Sequence, residues 1–256
     1  MSEQATFWDH LDELRSVILR SLLVVAIAAI AAFFLKDWLF SVVLAPRSGD
    51  FISYRLLGVE NDFQVSLMNT GLTEQFMTHM RVAIYAGLLL ASPYVLYQLF
   101  GFIAPGLYQN ERRAAIWIVV SAYVMFIIGT IVDYLLIFPL TVRFLGTYQV
   151  SPDVANMLTL QSYIDTLIGM SFVMGVVFEL PVVCAILGKM GLINGTMMSQ
   201  YRRHAVVAIL VISAIITPTT DAFTLLVVAL PIWLLYEMSI WIVKLNKTKP
   251  NNAKKN

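Results

Sequence analysis

The sequence predicts an all-α polytopic membrane protein with six transmembrane helices and both termini in the cytoplasm. Three observations carry that prediction. Hydrophobic residues make up 59% of the 256-residue chain and charged residues only 13%, with a mean hydropathy of +0.78, whereas soluble domains devote about a quarter of their residues to charge. The apolar residues gather into six runs, most of them close to the about 20 helical residues that cross about 30 Å of hydrocarbon. With the amino terminus inside, the cytoplasmic segments hold 12 of the 17 Lys and Arg residues, which is the asymmetry that sets orientation.

The first run, 20–36, has Arg20 and Lys36 placed to snorkel at its ends. Its small residues AIAAIAA (26–32) resemble a secretory leader, but Asp9, Asp12 and Glu13 precede it where a leader carries positive charge, so the reading is a retained span. Before it, HLDELR (10–15) fits an amphipathic helix along the cytoplasmic surface with Leu11 and Leu14 toward lipid. Residues 36–75 form the largest extramembrane segment, outside and mildly acidic, with three basic and five acidic residues. The second, third and fourth spans are 80–103, 114–136 and 166–188. The fifth, 205–217, ends at Pro218 and rises only about 20 Å. The sixth, 222–243, is full length and carries Pro231 as a kink site. Trp38 and Tyr134 fall at interfaces, where amphipathic rings settle. The whole reads as a single six-helix domain, 1–245, followed by a polar, Lys-rich, disordered cytoplasmic tail, 246–256.

Several chemistries lack their parts. No HExxH, GxSxG or GxxxxGK[ST] motif occurs, so zinc proteolysis, a serine nucleophile elbow and a phosphate loop are not written in the chain. Cys184 is the only cysteine and lies within an apolar run, so neither an internal disulfide nor a thiolate metal site can form. A net charge of +1 gives no footprint for nucleic acid. The expectation is a protein that is not an enzyme and takes no cofactor or metal.

The acids are the informative positions. Glu179 lies near the middle of the fourth span, where an ionised carboxylate costs about 3 kcal/mol on insertion scales. It is therefore protonated, paired or facing water. Ser171, Gly175 and Glu179 recur every fourth residue and share one helix face, and Pro181 frees the Val177 carbonyl beside them. That face admits either a neighbouring helix or a water pocket, and Glu179 reads equally as a functional acid and as packing glue. Glu237 is seven residues from Lys244 and reaches the cytoplasmic interface by tilt, and Asp221 stands where it would N-cap the sixth helix. Glu13 and Glu111 both face the cytoplasm. Held apart on a scaffold, they suit two guanidinium groups in bidentate hydrogen bonds, although on the residues alone an ordinary surface ion pair with Arg15 or Arg112 is the favoured reading of Glu13. Glu111 belongs to FIAPGLYQNERR (102–113), a turn-forming, charged loop between the second and third spans.

These residues give the chain a resemblance to TatC, the multispanning core subunit of the twin-arginine protein translocase. It runs through HLDELR (10–15), Leu44 to Pro46, SPYVLYQLFGFIAPGLYQNERR (92–113), DYLLIFPL with RFL (133–145), FELP (178–181), and ITP with Asp221 and LPIWLLYE (230–237). The order of Pro, Gln, Phe, Tyr and Glu in the central motif is specific. The resemblance implies a cup-shaped six-span bundle in the bacterial inner membrane whose cytoplasmic side recognises paired arginines on signal peptides of folded cargo. It implies that Glu13 and Glu111 accept the arginines, with Arg15, Phe102, Pro105, Tyr108 and Arg112 shaping that surface. Glu179, with Gln98, Ser171 and Gly175, becomes an intramembrane polar site for partner helices or the inserted peptide. Pro46, Tyr134 and Asp221 become important external positions. Implied partners are TatA-type and TatB-type single-span subunits and further copies of the chain, with export driven by the proton motive force. The sequence departs from the family pattern at Val17, where a basic residue often stands, with Arg20 following later, and at TPTT (217–220), where TPP is common. Two other readings remain at this point: a proton-coupled solute transporter using Glu179, which calls for inverted repeats and paired broken helices, and a membrane scaffold without a ligand.

Overall fold

The computed structural model describes residues 7–56, 58, 63–103, 112–149, 151, 157–217 and 221–247. In chain order these form α1 (Phe7–Phe33), α2 (Lys36–Val43), a 3-10 turn (Ala45–Arg47), α3 (Ile52–Leu56), β1 (Leu67–Met68), α4 (Glu74–Ile103) and α5 (Arg112–Val132). A π turn (Asp133–Ile137), α6 (Phe138–Thr147), β2 (Leu158–Thr159), α7 (Leu160–Val177), α8 (Leu180–Lys189), α9 (Gly195–Gln200), α10 (Arg202–Ile216) and α11 (Ala222–Lys247) follow. Among the described residues, five helical stretches are long and apolar enough to cross a membrane: Leu11–Phe33, Glu74–Phe102, Ile116–Thr147, Leu160–Lys189 and Ala222–Leu245. The fifth expected span corresponds to α10, whose 15 residues rise about 22 Å, short of the hydrocarbon thickness as the position of Pro218 requires.

Three boundaries differ from expectation for identifiable reasons. HLDELR is not a separate surface helix; it forms the opening turns of the uninterrupted α1, because no Gly or Pro stands between Phe7 and Phe33 to break it. The third run continues past its expected end through the π turn into α6, with Pro139 in the first turn of α6. The fourth run is interrupted at Phe178 and Glu179. There the Glu179 amide donates to the Val176 carbonyl at 3.1 Å, three residues back, and Pro181 opens α8. Pro93 and Pro231, by contrast, are accommodated inside continuous helices. The tail beyond residue 247 lies outside the described residues.

The chain resolves into two compact units. The first comprises residues 1–45, 65–124 and 157–168. Its centre is α1 lying along α4, an approach close enough that a Cβ added at Gly87 would stand 2.5 Å from the Ala29 backbone nitrogen. Small residues make that closeness possible, as Ala29, Ala32, Ala83 and Ala91 are all buried. His79 stacks on Phe33 with ring centroids 4.0 Å apart, and its Nε2 lies 3.1 Å from the Phe33 carbonyl oxygen. At one end β1 and β2 pair in parallel, Leu67 opposite Leu158. The Glu74 carboxylate holds this junction: Oε2 accepts from the Thr70 amide at 2.8 Å and the Gly71 amide at 2.9 Å, and Oε1 accepts from the Gln161 amide at 3.0 Å. Arg81 and Asp165 form an ion pair between α4 and α7 in the same unit.

The second unit comprises residues 46–64, 125–156 and 169–256. Its core gathers Ile137, Met170, Met174, Phe178, Ile209, Val228 and Ile232, contributed by α7, α10, α11, the π turn and the break after α7. Gly175 leaves room for the Phe126 ring, whose nearest carbon would lie 2.7 Å from a Cβ placed there. The Tyr54 hydroxyl reaches the carbonyl oxygens of Pro46 and Pro139, each at 2.9 Å. Burial raises the Tyr54 phenol above its ordinary range against the opposing pull of Arg143, so it stays a neutral donor. On α10 and α11, Arg202 and Glu237 form a two-armed pair, Nε to Oε1 at 2.7 Å and Nη2 to Oε2 at 2.8 Å.

Candidate functional sites

In the first unit, a half-open cavity of about 330 Å³ lies between α1 and α4, lined by Glu13, Ser16, Val17, Arg20, Tyr97, Gln98, Gly101 and Phe102, within the size range of small-ligand pockets. The lining follows from helical spacing. Positions 13, 16, 17 and 20 recur every three or four residues, as do 97, 98, 101 and 102, so each helix offers one face. Gly101 contributes no side chain to the wall. Gln98 Nε2 donates to the Tyr94 hydroxyl at 2.8 Å, which fixes the amide with its oxygen still available. The cavity thus sets a carboxylate, an aromatic wall of Tyr97 and Phe102, and a carboxamide around one space, with Arg20 two turns from Glu13 on the same face of α1. That combination can take a guanidinium group through bidentate hydrogen bonds and stacking.

Glu13, Phe102 and Gln98 are brought together here; Gln98, expected with the intramembrane acid, is a lining residue of this cavity. Arg15 is exposed on α1 and does not line it. Arg112 opens α5, while its side chain and the whole of Pro105, Tyr108 and Glu111 lie outside the described residues.

In the second unit, Ser171, Gly175 and Glu179 receive different neighbours. Ser171 Oγ donates to Asp133 Oδ2, Gly175 accommodates Phe126, and Glu179 is 9% exposed with neither carboxyl oxygen partnered among the described residues. Of the two uses open to this face, helix packing is realised at Ser171 and Gly175. At Glu179 an unsatisfied acid remains at the break between α7 and α8, and an unpaired buried polar group of this kind marks either a functional position or a partner not present. Pro46 is buried in the 3-10 turn under Tyr54. Tyr134 meets Phe51 edge-on at 5.4 Å. Asp221 Oδ1 accepts from the Thr224 amide at 2.7 Å, the N-cap hydrogen bond of α11.

Two residues escaped the sequence reading. Asp133, fully buried in the π turn, had a signal, since a carboxylate inside an apolar run is itself a flag, but it passed as one letter of DYLLIFPL. Arg202 as the partner of Glu237 had none, because 35 residues separate them.

Comparison with known proteins agrees in one direction. A family model described as "Sec-independent protein translocase protein (TatC)" matches residues 9–231. The TatC protein of Deinococcus radiodurans is 35% identical over 92% of this chain and 84% of its own length. That of Carboxydothermus hydrogenoformans is 32% identical over 95% of both. A crystal structure titled "Twin Arginine Translocase Receptor- TatC" superposes with a TM-score of 0.77 at 31% identity, covering 93% of this chain and 99% of that one.

Proposed function

The chain belongs to the TatC family of Sec-independent protein translocase proteins, and on that premise we propose that it binds the twin-arginine signal peptides of folded precursors at its cytoplasmic face. As a member it is a multi-pass protein of the bacterial inner membrane, a subunit of the Tat translocase that works with other Tat subunits, and not an enzyme. That membership displaces the solute-transporter and inert-scaffold readings.

The observation that carries the peptide-binding reading is the cavity in which Glu13 faces Phe102 and Gln98, at the end of α4 that leads into the FIAPGLYQNERR loop. Glu13 and Glu111 take one guanidinium each, with Arg15, Phe102, Pro105, Tyr108 and Arg112 shaping the surface. Arginine is favoured over lysine because only the planar guanidinium meets a carboxylate with two parallel bonds. Glu179, with Ser171 and Gly175 on its face, is the intramembrane position for a TatA-type or TatB-type helix or for the inserted peptide. Both termini are cytoplasmic, several copies assemble, and the proton motive force drives export.

The test is photocrosslinking of a twin-arginine peptide to full-length protein carrying a photoreactive residue at position 98. Glu13→Ala and Glu111→Ala should each lower the yield about tenfold, the worth of one charge-assisted pair, and a twin-lysine peptide should fall similarly. Undiminished yield in both variants refutes the assignment. Glu179→Ala should keep this contact and lose export; full export in that variant removes Glu179 from the mechanism.

A further inference from the structure

The Arg20 guanidinium makes no hydrogen bond or ion pair among the described residues, although it lines the α1–α4 cavity. The hydroxyls of Ser16 and Tyr97, which line the same space, are likewise without a partner among the described residues. Three unused donors therefore converge on one cavity. That is a site for an anion with several oxygens, and a guanidinium matches a phosphate in particular.

The depth of Arg20 identifies where such a phosphate comes from. Arg20 lies within the apolar stretch Leu11–Phe33, about 20 Å along the helix from its far end at Phe33 and on the side that leads to exposed Asp12, Glu13 and Arg15. Across hydrocarbon about 30 Å thick, a guanidinium at that level snorkels into the phosphate layer of one leaflet. The molecules already present there are phospholipids. Their charge type follows from the lining: Glu13 stands two turns from Arg20 on the same face, about 10 Å along α1. A headgroup with only negative charge would be repelled by Glu13, whereas one that also carries an ammonium group meets both residues with opposite sign.

We propose that this cavity is a binding site for a zwitterionic phospholipid headgroup of the phosphatidylethanolamine type, its phosphate on Arg20, Ser16 and Tyr97 and its ammonium toward Glu13. The proposal goes beyond the peptide-binding reading: the lipid occupies the cavity in the absence of peptide, and a peptide guanidinium displaces its ammonium from Glu13; the test measures lipid alone, so the failure of one leaves the other standing.

The full chain is reconstituted into bilayers of equal phosphatidylethanolamine and phosphatidylglycerol, and the lipid retained after release is weighed by native mass spectrometry. Wild type should retain phosphatidylethanolamine preferentially, and Arg20→Gln should lose that retention about tenfold, with Arg20→Lys falling between. Glu13→Gln should shift retention toward phosphatidylglycerol, a gain that misfolding cannot produce. Equal retention by wild type and Arg20→Gln, a wild-type preference for phosphatidylglycerol, an unshifted Glu13→Gln, or displacement of the lipid by millimolar inorganic phosphate would each overturn the proposal.

Discussion

Ser171 Oγ donates a hydrogen bond to Asp133 Oδ2, joining α7 to the π turn, and Asp133 Oδ1 finds no partner among the described residues. The pair is therefore half satisfied. Ser171→Ala strands the second oxygen as well and should destabilise the protein by about 1–3 kcal/mol, the cost of an orphaned buried group. Replacing both residues with apolar ones, Ser171→Ala with Asp133→Leu, removes the liability instead of exposing it. Thermal unfolding in detergent should then place the double variant above the Ser171→Ala single. If the two changes simply add, the hydrogen bond is not what couples the helices.

Gly87 sets the distance between α1 and α4, and so the width of the cavity at their end. A Cβ there meets the Ala29 nitrogen at 2.5 Å and its Cα at 2.6 Å, backbone atoms that cannot swing aside as a side-chain tip would. Gly87→Val should cost about 1–3 kcal/mol by overpacking and reduce peptide crosslinking from the photoreactive residue at position 98, with the other lining residues unchanged. Unchanged melting and crosslinking would mean that the two helices are held elsewhere.

Legibility in the sequence followed the range of each interaction. The apolar runs are local, so each coincides with helix in the structure, the fourth divided between α7 and α8 and the fifth realised as the 15-residue α10. The small-residue face of Ser171 and Gly175 is also local, and its spacing admits a neighbouring helix or a water pocket without deciding between them. Continuity was harder. Nothing in HLDELR says whether it bends away from the first span, and only the absence of a breaker up to Phe33 decides it. Long-range pairings left no trace: Gln161 beneath Glu74 and Tyr54 under Pro139 join positions more than 80 residues apart. Gln98 lines the α1–α4 cavity, a neighbourhood its sequence position does not reveal, since polarity inside a span announces a site but not which helix it meets.

Tyr54 supplies a pH prediction. Its phenol is held above the ordinary tyrosine value by burial, so the unfolded chain releases this proton first as pH rises. The folded state then binds more protons than the unfolded one, and stability falls as pH climbs from about 10 upward, being fully present below that. Tyr54→Phe should remove this alkaline loss while forfeiting the bonds to Pro46 and Pro139, about 0.5–1.5 kcal/mol at neutral pH. The two melting curves should converge above pH about 10. Parallel curves across the range would show that Tyr54 is not the titrating group.

The Arg202 and Glu237 pair looks strong, with both arms of the guanidinium engaged at 2.7 and 2.8 Å, yet its side chains are 49% and 29% exposed. Solvent and salt screen such a pair, which limits its net worth to about 1 kcal/mol. Arg202→Ala should therefore lower stability by no more than that, and the effect should shrink in high salt. Exchanging the charges, Arg202→Glu with Glu237→Arg, should recover most of the loss seen in either reversal alone, because the attraction depends on sign before geometry. Should Arg202→Ala cost several kcal/mol, the Glu237 carboxylate must be far drier than its exposure indicates, and α10 would then depend on this bridge for its place against α11.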